Sequence, residues 1–166
     1  MQITLVVVGK IKEKYFSMAI EEYQKRLSRY CRLEIVEVAD EKTPDGASKA
    51  EEEQIKIREG ERILRVIQER KKGKEGKIYS IALAIKGKPL DSIAFSNKIS
   101  ERKVKGNSHI IFIIGGSLGL DKQVLDYADE QISFSNLTFP HQLMRVILLE
   151  QIYRAFRIAN HEPYHK

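Results

Sequence analysis

The C-terminal stretch HQLMRVILLEQIYRAFRIANHEPYHK holds His141, His161 and His165 out of the chain's four histidines, together with Arg145, Arg154, Arg157 and Tyr164. An imidazole titrates near neutral pH and can take up or release a proton. A guanidinium can offset negative charge that develops on an oxygen during a reaction. Each group also has an ordinary account. Glu150 and Arg154 stand four apart in the order that favours a surface ion pair on a helix, and a terminal tail such as HEPYHK is usually frayed. A tail this rich in imidazole, phenol and ammonium groups could instead close over a site. The same residues spell H-E-x-x-H from His161 to His165, the zinc-protease signature. That chemistry needs both histidines on one face of a continuous helix plus a third ligand. Pro163 is incompatible with a helix interior, so the zinc reading is rejected and no metal site is expected.

Two glycine-bearing or aromatic loops are the other places where chemistry could sit. In IIFIIGGSLGLD (110–121) an apolar run stops at Gly115 and Gly116, with Gly119 following. The spacing G-G-x-x-G is neither the dinucleotide fingerprint nor a phosphate-cradling P-loop, and a tight turn is its plainest explanation. In FSNLTFPHQ (134–142), Phe134, Leu137 and Phe139 interleave with Ser135, Asn136 and Thr138. Apolar faces beside free backbone groups suit an adenine ring; an ordinary loop whose phenylalanines join the core is the alternative.

These groups need a frame. ITLVVV (3–8), LEIVEV (33–38), IYSIALAI (78–85), HIIFII (109–114) and the short ISF (132–134) read as strands, because their residues are apolar and largely β-branched. Between them the spacing predicts helices over 15–30, 49–71 with Ser48 as its cap, 92–105, 121–131 and 140–160. Pro140 is placed to open the last. On that helix Leu143, Val146, Ile147, Leu149 and Phe156 are the expected core residues. An apolar girth this wide also suggests packing against a second subunit. Strands that alternate with helices and are apolar on both faces predict an α/β fold, a parallel sheet covered on both sides, in one domain spanning 1–166. Ligands of such sheets bind beyond the carboxyl ends of the strands. Three loops lie there, after Leu83, after Ile114 and after Phe134.

The bulk properties narrow the partners. Net charge is +6, which favours polyanions and nucleic acid first. Cys31 is the only cysteine, so an internal disulfide or cysteine-cluster metal site is excluded. No segment approaches the roughly 18 apolar residues that a membrane span takes, so no membrane partner and a cytoplasmic location are expected. There the Asn136-Leu137-Thr138 sequon carries no meaning.

Taken together, MQITLVVVGKIKEKYF, IIFIIGGSLGL, ISFSNLTFPHQLMRVILLEQIYRAF and EPYHK resemble, in order and spacing, one family across essentially the whole chain. It is the ribosomal RNA large subunit methyltransferase H family, a small branch of the SPOUT methyltransferases. The resemblance implies a SPOUT-type parallel-rich sheet flanked by helices on both faces, with its C-terminal part tied in a trefoil knot. It implies S-adenosyl-L-methionine as cofactor, held by loops at Leu83, at Gly115, and at Phe134, Ser135, Asn136, Leu137, Thr138 and Phe139. It implies methylation of N3 of a pseudouridine in 23S ribosomal RNA on assembled ribosomes, by a homodimer whose sites are completed at the subunit interface. His165 and His141 are the candidate bases, Arg154 the group that steadies the developing anion, and Tyr164 the one that positions or stacks on the nucleobase. One departure is Ala84, where the family commonly has an acidic residue. The rivals are a SPOUT methyltransferase acting on transfer RNA or another ribosomal base, a nicotinamide enzyme on a Rossmann sheet, and a non-catalytic ribosome-binding module.

Overall fold

The computed structural model describes residues 1–166. Five strands, β1 (Gln2–Val8), β2 (Arg32–Val38), β3 (Ile78–Pro89), β4 (His109–Ile114) and β5 (Glu130–Ser133), form one sheet in the order β2-β1-β4-β3-β5. Every pairing is parallel. Helices α1 (Lys14–Leu27), α2 (Lys49–Lys71), α3 (Ser92–Val104), α4 (Lys122–Tyr127) and α5 (His141–Ala159) connect them. The α/β expectation holds, and the reason is visible in the burial of the central strands. Ile3, Leu5 and Val7 face one way, with Phe112, against α1, α3 and α5. Val6 and Val8 face the other way, with Ile111 and Ile113, against Ile63 and Ile67 of α2 and Val124 of α4. A strand buried on both faces has no polar alternation to show.

Helix α2 begins where its cap predicts. The Ser48 hydroxyl accepts from the Glu51 amide at 3.2 Å, and the Glu51 carboxylate accepts from the Ser48 amide at 2.7 Å. This reciprocal box satisfies two backbone donors that no helical carbonyl reaches.

Three sequence expectations need correction. The helix expected over 121–131 ends at Tyr127, and β5 starts at Glu130 rather than 132. Asp129 decides this: its carboxylate accepts from the Ser80 amide at 2.7 Å and the Ser80 hydroxyl at 2.6 Å, which pulls the chain into the sheet beside β3. Strand β3 runs on to Pro89 instead of stopping at 85, but with a break. Ile132 lies opposite both Leu83 and Lys88, so residues 84–87 loop out of the ladder. A Cβ on Gly87 would come within 2.5 Å of the Ile132 backbone, a contact that only glycine permits.

The third correction concerns the phase of α5. Its buried residues are Arg145, Leu148, Leu149, Ile152 and Ala155. Of the five expected core positions only Leu149 is fully buried. Val146 and Phe156 pack on the margin of the core, while Leu143 and Ile147 belong to neither apolar cluster.

Candidate active site

The turn after β4 is built by its own glycines and by α2. Gly119 has φ +85° and donates its amide to the Gly116 carbonyl at 3.1 Å. A Cβ on Gly115 would lie 2.6 Å from the Gly119 backbone, and one on Gly116 would lie 2.8 Å from Glu59 Oε2. Gly115 is therefore demanded by the backbone packing of the turn itself, whereas Gly116 faces the side chains of Glu59 and Val8; at Gly119 the space beyond the backbone is open. Asp121 caps α4 by accepting from the Gln123 amide at 2.9 Å, and its Cβ seats against Gly60 of α2.

Glu59 is the residue that the sequence did not single out. It is 5% exposed, and its Oε1 accepts from the Glu41 amide at 3.0 Å. Burial, more than the neighbouring Asp40, pushes its carboxyl above the ordinary carboxylate range. One buried carboxyl thus ties the loop after β2 to the turn after β4. The available signal was Glu59-Gly60 in mid-helix, since a glycine there weakens a helix unless something packs on it.

The loop after β5 splits the two readings of its aromatic residues. Phe134 turns inward, its ring edge-on to Phe95 with centroids 5.5 Å apart. Leu137 points out, 69% exposed. The Ser133 hydroxyl donates to the Ser135 carbonyl at 3.0 Å, and the Leu137 amide donates to the Ser135 hydroxyl at 2.9 Å. The amides of Asn136, Thr138 and Phe139 donate to no protein acceptor. Free amides beside one exposed apolar side chain fit the edge and face of an adenine. Leu83 packs against the core just before residues 84–87 leave the ladder. Ala84 in that loop offers no side-chain polar group.

Helix α5 leaves this loop and carries the remaining candidates. His141, at its start, is half-buried, and burial followed by the nearby Arg145 charge lowers its pKa. Arg145 itself is only 1% exposed. Its Nη2 donates to the Val8 and Gly9 carbonyls at 2.6 and 2.9 Å, and its Nη1 pairs with Glu37 at 3.1 Å. This arginine clamps α5 onto the end of β1.

The tail is not frayed. Arg157 pairs with Glu162 at 2.8 Å and donates to the Pro163 carbonyl at 3.2 Å, while Tyr30 donates its hydroxyl to Glu162. Tyr164 packs edge-on to Tyr153, with centroids 5.0 Å apart. Burial, with Tyr23 and Glu150 nearby, raises the Tyr164 phenol to about 12. Arg154 grips Glu150 at 2.6 Å and stands 3.4 Å from His165 Nδ1. Helix α5 stops at Ala159 and His161 has φ 55°, so His161 and His165 share no helix face and the zinc-signature geometry is absent.

The structure thus gathers Arg154, Tyr164 and His165, and separately places the turn at Gly115, residues 134–139 and His141 beyond the carboxyl ends of the strands. Within one chain the two groups stay apart. Thirteen residues of α5 separate His141 from Arg154, about 20 Å at 1.5 Å per residue. Two clefts, of about 420 and 320 Å³, run along α1 and β2; the first is lined by residues such as Gln24 and Cys31, and the second reaches Arg145 and Ile11 in the loop after β1.

Comparison with known proteins agrees with this architecture. The family described as "Predicted SPOUT methyltransferase" matches residues 1–165, which sets the chain among the SPOUT methyltransferases. The ribosomal RNA large subunit methyltransferase H of Clostridium tetani is 55% identical over 166 residues, covering 100% of both chains. The corresponding protein of Bifidobacterium adolescentis is 59% identical over the same full length. The chain belongs to the ribosomal RNA large subunit methyltransferase H family. A probable methylase family protein from Haemophilus influenzae shares the fold, with a TM-score of 0.54 over 99% of this chain and 70% of that one, at 12% identity.

Proposed function

We propose that the protein transfers a methyl group from S-adenosylmethionine to N3 of a pseudouridine in 23S ribosomal RNA of assembled ribosomes, as a cytoplasmic homodimer. The observation that carries this reading is the Arg154–Tyr164–His165 cluster, built where the tail folds back on the end of α5 and distant from the strand-end loops of its own chain. A second copy docked along α5 would bring its loops to that cluster. Leu143 and Ile147, outside both cores, give α5 an apolar stripe for such a partner, as do the exposed Tyr15 and Met18 of α1. The placing of β3 between β4 and β5, with the Ile132 backbone pressed on Gly87, supports the knotted topology implied by the family.

The cofactor supplies an activated methyl on its sulfonium. The backbone of Asn136, Thr138 and Phe139, with Leu137 beside them, would hold its adenosine, and the loops at Leu83 and Gly115 would close round the rest. The imide N3 of pseudouridine attacks well only as its proton leaves. His165 takes that proton, and Arg154 offsets the negative charge left on the flanking carbonyl oxygens. Tyr164 stays protonated near neutral pH and offers a ring for stacking on the base. His141, kept neutral by burial, is the alternative base at the cofactor end.

The test is direct. Purified protein with radiolabelled methyl donor is offered unmodified ribosomes, free ribosomal RNA and transfer RNA, and the labelled base is located by mass spectrometry. Label on a ribosomal pseudouridine N3 supports the reading. Label on transfer RNA alone would make the enzyme a SPOUT methyltransferase of different substrate.

A further inference from the structure

We propose that the turns 71–77 and 102–107 form one basic ledge that grips the phosphate backbone of the RNA substrate beside the tail cluster. The inference rests on the reading of a ribosomal RNA substrate. KKGKEGK and RKVKGN are distant in sequence but locked together in space. Asn107 Nδ2 donates to the Gly76 carbonyl at 2.8 Å, and the His109 amide donates to the Lys77 carbonyl at 3.3 Å. Each turn is closed internally as well, by Lys74 and Lys77 amides in the first and the Asn107 amide in the second.

The cations on this ledge divide into two sets. Lys71 is engaged by Asp129, Arg102 lies 4.0 Å from the centre of the Tyr79 ring, and Lys105 pairs with Glu101. Lys72, Lys74, Lys77 and Lys103 are exposed and have no carboxylate partner. Glu75, the one acid in the first turn, bends back to accept from the Gly73 amide at 3.3 Å. Four neighbouring free ammonium groups repel one another in the isolated chain, and a polyanion relieves that repulsion while releasing its own counterions.

The position of the ledge selects RNA. Along the same edge of the sheet the Gln2 amide donates to the Ser108 carbonyl at 2.9 Å, and the Arg32 amide to the Met1 carbonyl at 3.1 Å. Tyr30, just before β2, holds the tail through Glu162. Ledge and tail therefore share the amino-terminal edge of the strands, two to three strands apart, or roughly 10–15 Å at the usual strand spacing. A strand of RNA whose base reaches Arg154 and His165 has its neighbouring phosphates within reach of these lysines.

The experiment compares the wild type with the fourfold variant Lys72→Ser, Lys74→Ser, Lys77→Ser, Lys103→Ser. Ribosome binding is measured by co-sedimentation across a salt series, alongside methylation kinetics and cofactor affinity. The expected result is a log Kd against log salt slope shallower by about 3, a KM for ribosomes raised about tenfold or more, and kcat and cofactor affinity unchanged. An unchanged slope and KM overturn the ledge, as does equal wild-type binding to phosphatidylserine vesicles that the substitutions abolish while ribosome KM stays put. If the wild type binds ribosomes without methylating them, and the variant still loses slope, the proposed reaction fails and the ledge stands. No wild-type binding to ribosomes at any salt sinks both.

Discussion

Arg154 holds Tyr164 beneath it, its guanidinium carbon 4.7 Å from the centre of the phenol ring, while the same guanidinium pairs with Glu150 one turn back on α5. Tyr164 returns to the same carboxylate, its hydroxyl 3.3 Å from Glu150 Oε1. A single anion therefore orders an arginine from the helix and a tyrosine from the tail, and so fixes where the next residue, His165, stands. What looks in sequence like a surface ion pair is the anchor of a cluster.

His165→Ala is expected to lower methylation by about 10²–10⁴-fold, the usual share of a general base. Cofactor affinity should stay within twofold, since His165 is assigned to the substrate's proton and not to holding the cofactor. Steady-state rates and calorimetric titration check this together. Full activity in His165→Ala combined with loss in His141→Ala would move the base to the other end of α5.

Arg145→Met should destabilise the fold by roughly 2–4 kcal/mol, because the Val8 and Gly9 carbonyls lose their buried charged donor. Urea unfolding measures it. Arg145→Lys should recover little, since one ammonium cannot reproduce the fork that spans both carbonyls and Glu37.

Glu59→Gln makes a pH-dependent prediction. The folded carboxyl is raised by burial, so the stability due to its protonated form is present at acid pH and is lost as pH rises through the folded value. The amide cannot ionise and still accepts from Glu41. Glu59→Gln should match the wild type well below the ordinary carboxylate pKa of about 4.3. It should gain relative stability as pH rises towards neutral. Thermal unfolding at pH 3.5 and pH 7 decides; a constant difference would contradict the raised pKa.

Gly115→Ala should weaken cofactor binding by tenfold or more, because its methyl meets the rigid backbone of Gly119 and the turn must open. Gly119→Ala meets open space and carries only the strain of positive φ, about 1 kcal/mol. A titration series with the two variants should rank them in that order.

Much of the fold was legible in the chain because its signals are local. The apolar run of β4 and the Ser48 box of α2 lie within a few residues of what they specify, and both elements fall where expected. The loops beyond the strand ends followed from the parallel reading alone. Local signals failed where a distant partner competes. Residues 128–131 could continue a helix, but Asp129 finds Ser80, forty-nine positions away, and the strand wins.

The sequence by itself determined the alternation of strands and helices, the edge of the sheet where loops gather, and the family resemblance of its motifs. Tertiary structure alone decided that Arg145 lies in the core and that Glu59 joins two loops. It also decided that the tail cluster and the strand-end loops occupy opposite ends of α5. Periodicity records which residues share a face; the partner of a buried charge depends on contacts over a hundred residues apart, as between Arg145 and Glu37, and those exist only once the chain has closed on itself.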